Sequence, residues 1–303
     1  MIDIAGFQVE EKIYESVRSV VYRAKQIEGE RPVILKTLKE EYPDPQEILR
    51  YRREYETTRR LNDAGIPRPI GLERVSNRLI LITEDVGGQD LKTLMKTRTF
   101  TLRQLLKIAA DTVRILGEIH AANLIHGDIK PSNIVFNHQT DHLQIIDFGS
   151  SRPLSDTVPV DEIQVLAGTL SYMSPEQTGR MNRPVDWRTD FYSLGVALYE
   201  LFVGKLPFET TDVLELVHAH IARQPRMPSE LNAEVPVGLP DIIMKLLAKN
   251  PEDRYQSTRG IEADLSECLE RLEKTGRINP FPLARQDLSD KFQISRKLVG
   301  RQK

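Results

Sequence analysis

The sequence predicts an α+β protein of two unequal lobes, strand-rich first and mostly helical afterwards. Strand-like segments crowd the first 86 residues around one helical stretch, and beyond Gly87-Gly88 apolar residues recur mainly at helical spacing. Strands and helices do not alternate, as a parallel α/β sheet would require. A chain of 303 residues is long enough for one large domain or for two lobes around a shared cleft.

In QVEEKIYESVRSVVYRAKQ, valine, isoleucine and tyrosine stand in broken alternation, and RPVILKTLK follows a polar turn at Glu28 to Glu30. A helix opens at Asp44-Pro45-Gln46-Glu47: aspartate caps free amides, proline suits the first helical position, and the glutamate completes a capping box. It should run to about Leu61, ahead of Gly65. RPIGLERVS and RLILITEDV read as two more strands, the second mostly apolar and so buried. Thr101 and Gln104 form a second capping box, before a helix that puts Leu102, Leu105, Ile108, Ala109, Val113, Leu116 and Ile119 on one face. Short strands with polar turns are expected from about 124 to 150. Four helices follow, in FYSLGVALYELFVG, DVLELVHAHIA, LPDIIMKLLAKN and GIEADLSECLERLEK. Residues 273–303, with Pro280, Pro282 and scattered charges, read as a linker or a lead-in to a further module.

Composition narrows the function classes. Lysine plus arginine number 42 against 44 acidic residues, a net charge of −2, so no bulk positive field draws nucleic acid or an anionic membrane. The single cysteine, Cys268, has no partner for an intrachain disulfide and reads as a packing residue in a helix. MIDIAGFQVEEK lacks the basic-then-apolar order of a signal peptide. The longest uncharged apolar-rich run, Phe191 to Tyr199, is far too short to cross a bilayer. The expectation is a soluble protein of a reducing compartment, most simply the cytoplasm, with neither nucleic acid nor membrane as partner.

The chemistry concentrates in HGDIKPSNIVF and IIDFGSS. His126, Asp128, Lys130 and Asn133 stand at fixed spacing, and Asp147-Phe148-Gly149 follows a short hairpin. A polar turn between strands explains any one of these residues but not the set. Together they resemble the catalytic and metal-binding loops of the protein kinases. The resemblance covers residues 7 to about 272 and implies a bilobal fold. Its N-lobe, about 7–86, carries a small antiparallel sheet and one helix; its C-lobe, about 87–272, is mostly helical. It also implies ATP and Mg²⁺ as cofactors and a protein substrate. Phosphoryl transfer asks a protein mainly for positioning and compensating charge. By resemblance, Asp147 holds Mg²⁺, Asn133 completes the metal site through its amide oxygen, and Asp128 accepts or orients the substrate hydroxyl proton. Lys130 neutralises the moving phosphoryl group, and in the family a lysine two residues after the aspartate goes with serine and threonine substrates.

Other landmarks of the resemblance fall in order. Lys36, closing PVILK, sits where the strand lysine reaches the α- and β-phosphates, and Glu54 where a helix glutamate pairs with it. Glu47 and Glu56 are nearby rivals, and Glu54 alone would pass for a solvated charge. Ser174-Pro175-Glu176 matches the end of the activation segment, Arg254 its buried ion-pair partner, Asp190 the aspartate that holds the catalytic loop, and Thr169 the threonine that contacts Asp128 and Lys130. Ile13, Val21 and Ile34 are placed above the adenine ring and Val135 below it. Thr83 guards the back pocket, and Glu84 to Val86 offer backbone hydrogen bonds. Taken singly, each valine or isoleucine is simple core packing.

Three departures bear on function. The glycine-rich loop has lost its glycines, with Tyr14, Ser16 and Ser19 in their places, although glycine is what lets amides approach phosphate closely. Ile34 replaces the usual alanine and should narrow the adenine slot. Gly127 replaces the arginine before the catalytic aspartate, which weakens the case for activation by phosphorylation at Ser155 or Thr157 and points to control by neighbouring domains. The expectation is an active serine/threonine kinase, with a nucleotide-sensing or docking pseudokinase as the alternative. A narrower resemblance rests on GTLSYMSPEQTGRMNRPVDWRTDFYSLGVALYEL, LVHAHIARQP and the tail DKFQISRKLVGRQK. They are similar to kinase domains that begin large bacterial signalling proteins, in which ATPase, GAF sensor and histidine kinase modules follow in the same polypeptide.

Overall fold

Alternation on a pleated strand separates two faces, and the register of the N-terminal strands shows what each face carries. The computed structural model describes residues 4–40, 42–75, 78–154 and 170–288. Strands β1 (Phe7–Glu15), β2 (Ser19–Gln26) and β3 (Pro32–Leu38) are followed by helix α1 (Pro45–Arg60), then β4 (Pro69–Val75) and β5 (Arg78–Glu84). They form an antiparallel sheet in the order β1-β2-β3-β5-β4. Val33 and Leu35 turn to one face, where they bury Ala24, Ile80 and Ile82 beneath Ile4. Val21 lies opposite Lys36, Lys36 opposite Leu81, and Ile34 opposite Thr83, so these share the other face. On that side Tyr51 of α1 packs with Leu38, Leu79 and Leu81.

The N-terminus of α1 departs from expectation. Asp44 accepts from the Gln46 amide at 2.8 Å, but the reciprocal Glu47 bond of a capping box is not formed. Glu47 instead accepts from Arg18 at 2.9 Å, tying the helix to the β1–β2 turn. A long-range ion pair has outcompeted the local cap. The second predicted box, Thr101 with Gln104, is closed in both directions.

The helical lobe opens with β6 (Gln89–Asp90) and two helices, α2 (Leu91–Thr97) and α3 (Leu102–Ala121). Short strands follow: β7 (Leu124–Ile125), β8 (Ile134–Asn137), β9 (His142–Ile145) and β10 (Arg152–Pro153). Five helices complete the described chain: α4 (Arg188–Val203), α5 (Val213–Ala222), α6 (Pro228–Leu231), α7 (Leu239–Leu246) and α8 (Thr258–Thr275). The short helices α2 and α6 carry too few turns to show a periodicity in sequence. In α3, Ile108, Ala109, Val113, Leu116 and Ile119 are buried as expected, while Leu102 and Leu105 pack at the margin. Helix α4 begins a turn earlier than Phe191 and is buried on nearly every side, which places Asp190 inside the lobe. Cys268 is fully buried on α8, and burial pushes its thiol up to about 12.

Residues 276–288, which the sequence assigns to a linker, run back along the lobe. Ile278 is buried, Phe281 and Leu283 pack on the main core, and the Ala284 amide donates to Asp264 at 2.8 Å. The Asp287 carboxylate accepts from the Gln256 amide, the Ser257 amide and the Ser257 hydroxyl, each at 2.8 Å. Proline and charge scatter hide this segment in the sequence, because its anchor is one carboxylate and a few apolar contacts.

One buried histidine gives the lobe an acid-sensitive point. His220 on α5 accepts or donates at Nδ1 with the Tyr192 hydroxyl (3.0 Å), while its buried Nε2 has no partner among the described residues. Burial, helped by the Lys249 ammonium, lowers its pKa to about 4. The unfolded chain therefore takes up a proton near pH 6.5 that the folded chain refuses until about pH 4. Folding should lose up to about 3 kcal/mol across that window. Urea unfolding at pH 7 and pH 4.5 checks this: a His220→Gln variant should lose distinctly less stability than wild type, and an equal loss removes His220 as the cause.

Candidate active site

The loop that carries Asp128 is fixed from behind before any of its side chains is placed. Asp190, buried on α4, accepts from the amides of His126 (2.9 Å) and Gly127 (2.8 Å) and from His120 Nε2 (2.8 Å). His126 is buried as well: its Nδ1 accepts from the Asp128 amide at 3.3 Å and its Nε2 donates to the Ile146 carbonyl at 3.1 Å. That bond links the loop to the residue before Asp147. Gly127 adopts φ +79°, and an added Cβ would stand 3.1 Å from the Ser150 carbonyl oxygen. Glycine therefore replaces arginine here for a backbone reason.

These supports hold Asp128 with one oxygen engaged and one free. Its Oδ2 accepts from Lys130 Nζ at 2.7 Å and from Asn133 Nδ2 at 3.0 Å. Its Oδ1 is buried and has no partner among the described residues. Burial pushes the Asp128 carboxyl up, and the Lys130 ammonium opposes that. Asn133 spends its amide nitrogen on the Asp128 carbonyl (2.9 Å) and side chain, so its amide oxygen is left without a donor among the described residues.

Across the cleft, Lys36 Nζ donates to Glu54 at 2.7 and 3.0 Å and to Asp147 Oδ1 at 2.8 Å. Of the three glutamates weighed from sequence, only Glu54 reaches Lys36: Glu47 faces Arg18, and Glu54 is buried on α1. Burial works against all three charges. Asp147 and Glu54 nevertheless hold the Lys36 ammonium well above its ordinary pKa. Lys36 in turn holds the Asp147 carboxyl down, to about 2. Burial raises the Glu54 carboxyl, with Lys36 pulling against it. Asp147 sits in the left-handed region at φ 67°, and 41 % of its side chain is exposed.

A metal that joined Asp147 and Asn133 would find one carboxylate and one amide oxygen, a donor set suited to Mg²⁺ when phosphate oxygens complete it. Among the described residues no group of three or more His, Cys, Asp or Glu is placed to hold a metal ion, so the protein side chains described there form no closed metal cage.

Ile34, Val21 and Thr83 lie on the Lys36 face of the sheet, with Ile34 beside Thr83. Ile13 sits at a register shift of β1 and is 37 % exposed. Val135 lies on β8, its side chain against Gly88, where an added Cβ would meet it at 2.6 Å. The strand that ends at Glu84 passes to Val86 with most polar groups already engaged. The Glu84 amide donates to the Arg68 carbonyl, the Asp85 amide to the Pro32 carbonyl, and the Val86 carbonyl accepts from Asn137. The Val86 N–H has no partner among the described residues. Glu84 itself is a surface residue paired with Arg31 at 3.1 Å.

The turn that replaces the glycine-rich loop is closed on itself. Ser16 Oγ accepts from the amides of Arg18 (3.2 Å) and Ser19 (2.9 Å), and the Ser16 amide donates to the Ser19 carbonyl at 2.8 Å. Two amides that a phosphate would seek are thus already satisfied by a side chain.

Beyond the loops, Arg254 is fully buried and uses all five donors: Nη1 and Nη2 on Glu176 at 2.6 and 2.8 Å, and the rest on the carbonyls of Ala248, Arg188 and Lys249. Sequence reasoning missed Gln177, which donates to the Gly127 carbonyl at 3.0 Å and closes a capping box with Ser174. The Ser-x-x-Gln spacing was the available signal. It also missed Glu200, buried between Lys92 and the Tyr172 hydroxyl, for which no local pattern exists. Thr169, Ser155 and Thr157 lie outside the described residues.

Comparison with known proteins agrees with this geometry. The protein kinase domain family matches residues 7–265, and the chain belongs to that family. It is 33 % identical over 253 residues to the serine/threonine-protein kinase PknB of Mycobacterium leprae, covering 82 % of this chain and 40 % of that protein. It is 34 % identical over 254 residues to PknB of Mycolicibacterium smegmatis, with the same coverages, and 30 % identical over 271 residues to the serine/threonine-protein kinase pkn3 of Myxococcus xanthus, covering 86 % and 49 %. The chain thus spans about two fifths to one half of the length of these relatives. No helix among the described residues is long and apolar enough to cross a membrane.

Proposed function

We propose that the chain is a serine/threonine protein kinase that transfers the γ-phosphoryl group of MgATP to a hydroxyl of a protein substrate. The observation that carries this reading is the free Oδ1 of Asp128, held beside Lys130 by partners that occupy only Oδ2. A buried carboxylate oxygen left bare is costly unless something else meets it, and an incoming alcohol is the group that fits. Lys36 and Lys130 supply positive charge on either side of the position a phosphate would take. Asp147 and Asn133 are the residues that would hold Mg²⁺, which when bound bridges and neutralises phosphate oxygens. The Val86 N–H is the assigned donor to the base, Ile13, Val21, Ile34 and Val135 its apolar walls, and Thr83 its back limit. The kinase domain is assigned to 7–272. Transfer of labelled phosphate from MgATP to a generic basic protein tests the reading. Transfer that persists in Lys36→Met protein refutes it.

The self-closed turn at Ser16 favours a second reading, a nucleotide-sensing pseudokinase. Ser16→Gly frees two amides, and under the kinase reading it should tighten binding of an ATP analogue about three- to tenfold. Unchanged affinity would show that the turn does not limit nucleotide binding. Similarity in 168–201, 216–225 and 290–303 supports a finer assignment, that the domain works within a larger cytoplasmic signalling polypeptide with ATPase, sensor and histidine kinase modules. An ATPase module encoded after Lys303 is the test.

A further inference from the structure

Tyr51 takes no part in the metal, base or proton-accepting roles proposed for the cleft, and its position is unusual for a phenol. It lies one helical turn before Glu54, on the same face of α1, and is 4 % exposed. Its ring packs among Leu38, Leu79 and Leu81, and Lys36 Nζ stands 5.5 Å from the ring centroid. Its hydroxyl is buried without a hydrogen-bond partner among the described residues. The Ser19 hydroxyl, at the foot of the closed turn, approaches it without completing a bond, and the charges of Lys36, Glu54 and Asp147 all act on it. Burial raises the phenol, so the group is a neutral O–H donor. A buried donor left unsatisfied costs about 1–3 kcal/mol. Phenylalanine would fill the same apolar pocket without that penalty.

Resting on the reading that this cleft binds ATP, we propose that the Tyr51 hydroxyl is a phosphate-binding donor. It meets the nucleotide from beneath the β1–β2 turn and does the work that Ser16 has taken from the Arg18 and Ser19 amides. The ligand class is a nucleoside di- or triphosphate, and adenosine is outside it. The site answers the loss of the glycines with one fixed donor on a helix, carried on the same face as the glutamate that orders Lys36.

Equilibrium binding of a non-hydrolysable ATP analogue, ADP and adenosine to wild type and Tyr51→Phe tests this. The variant should bind the analogue and ADP about tenfold more weakly and adenosine unchanged, and its melting temperature without nucleotide should not fall. Because the turn amides and the hydroxyl serve the same phosphates, Ser16→Gly should rescue more affinity in the Tyr51→Phe background than in wild type. Equal weakening of all three ligands would make Tyr51 a packing residue and overturn the proposal, as would no change in any. The kinase reading fails separately: wild type that binds the analogue but transfers no phosphate refutes catalysis, while the three binding comparisons still decide the role of Tyr51.

Discussion

Asp128→Asn protein should transfer phosphate about 10²- to 10⁴-fold more slowly than wild type, with the affinity for an ATP analogue within a few-fold of normal. The substitution keeps the shape of the side chain, and Asn133 and Lys130 remain where they are. It removes the oxygen that no described group meets and with it the proposed proton acceptor. The same change should not destabilise the fold. Burial raises the Asp128 carboxyl, so its charge is disfavoured in the folded state at neutral pH, and a neutral amide relieves that cost. Initial rates and melting curves on the two proteins check both halves. A variant that is inactive and also melts far below wild type would mean that Asp128 is structural.

The largest loss of stability should come from Glu176→Gln. Glu176 and Arg254 are 1 % exposed each, and the guanidinium fork meets the carboxylate with both terminal nitrogens. Removing the charge of one partner leaves an uncompensated buried cation, at a cost of about 3–5 kcal/mol. Three further Arg254 bonds go to the carbonyls of residues 188, 248 and 249, so the defect spreads to the start of α4 and the end of α7. Urea unfolding followed by far-UV circular dichroism measures it. A loss under 1 kcal/mol would show that water reaches the pair. Replacing both partners by apolar residues should cost less than replacing one, since no charge is then stranded.

Much of this was legible in the sequence, for identifiable reasons. Strand alternation and apolar spacing located the five-stranded sheet and the long helices because each has a buried face with a fixed period. The pairing of Glu54 with Lys36, rather than Glu47 or Glu56, was favoured by motif order and is settled in space by helix phase. The contacts that sequence did not show are those that join distant segments through single polar atoms. Glu47 left its local cap for Arg18, Asp287 reached back to Gln256 and Ser257, and Gln177 crossed to the Gly127 carbonyl. Such bonds leave no period and are decided only once the apolar core has fixed the backbone. The meaning of the missing glycines was half legible. Their absence is plain in the sequence, but that Ser16 closes the turn is a matter of geometry.

The clasp formed by Asp287 sets how short a folding unit can be. The family match ends at residue 265, inside α8, whereas Cys268 and Ile278 still fill the core and Asp287 still caps the 256–257 amides. A polypeptide trimmed at the family boundary would shed half a helix and bare two donors beside the Arg254 anchor. The autonomous piece therefore ends no earlier than residue 288, and anything that tugs on the chain beyond it pulls first on the ground beneath the buried Arg254–Glu176 pair.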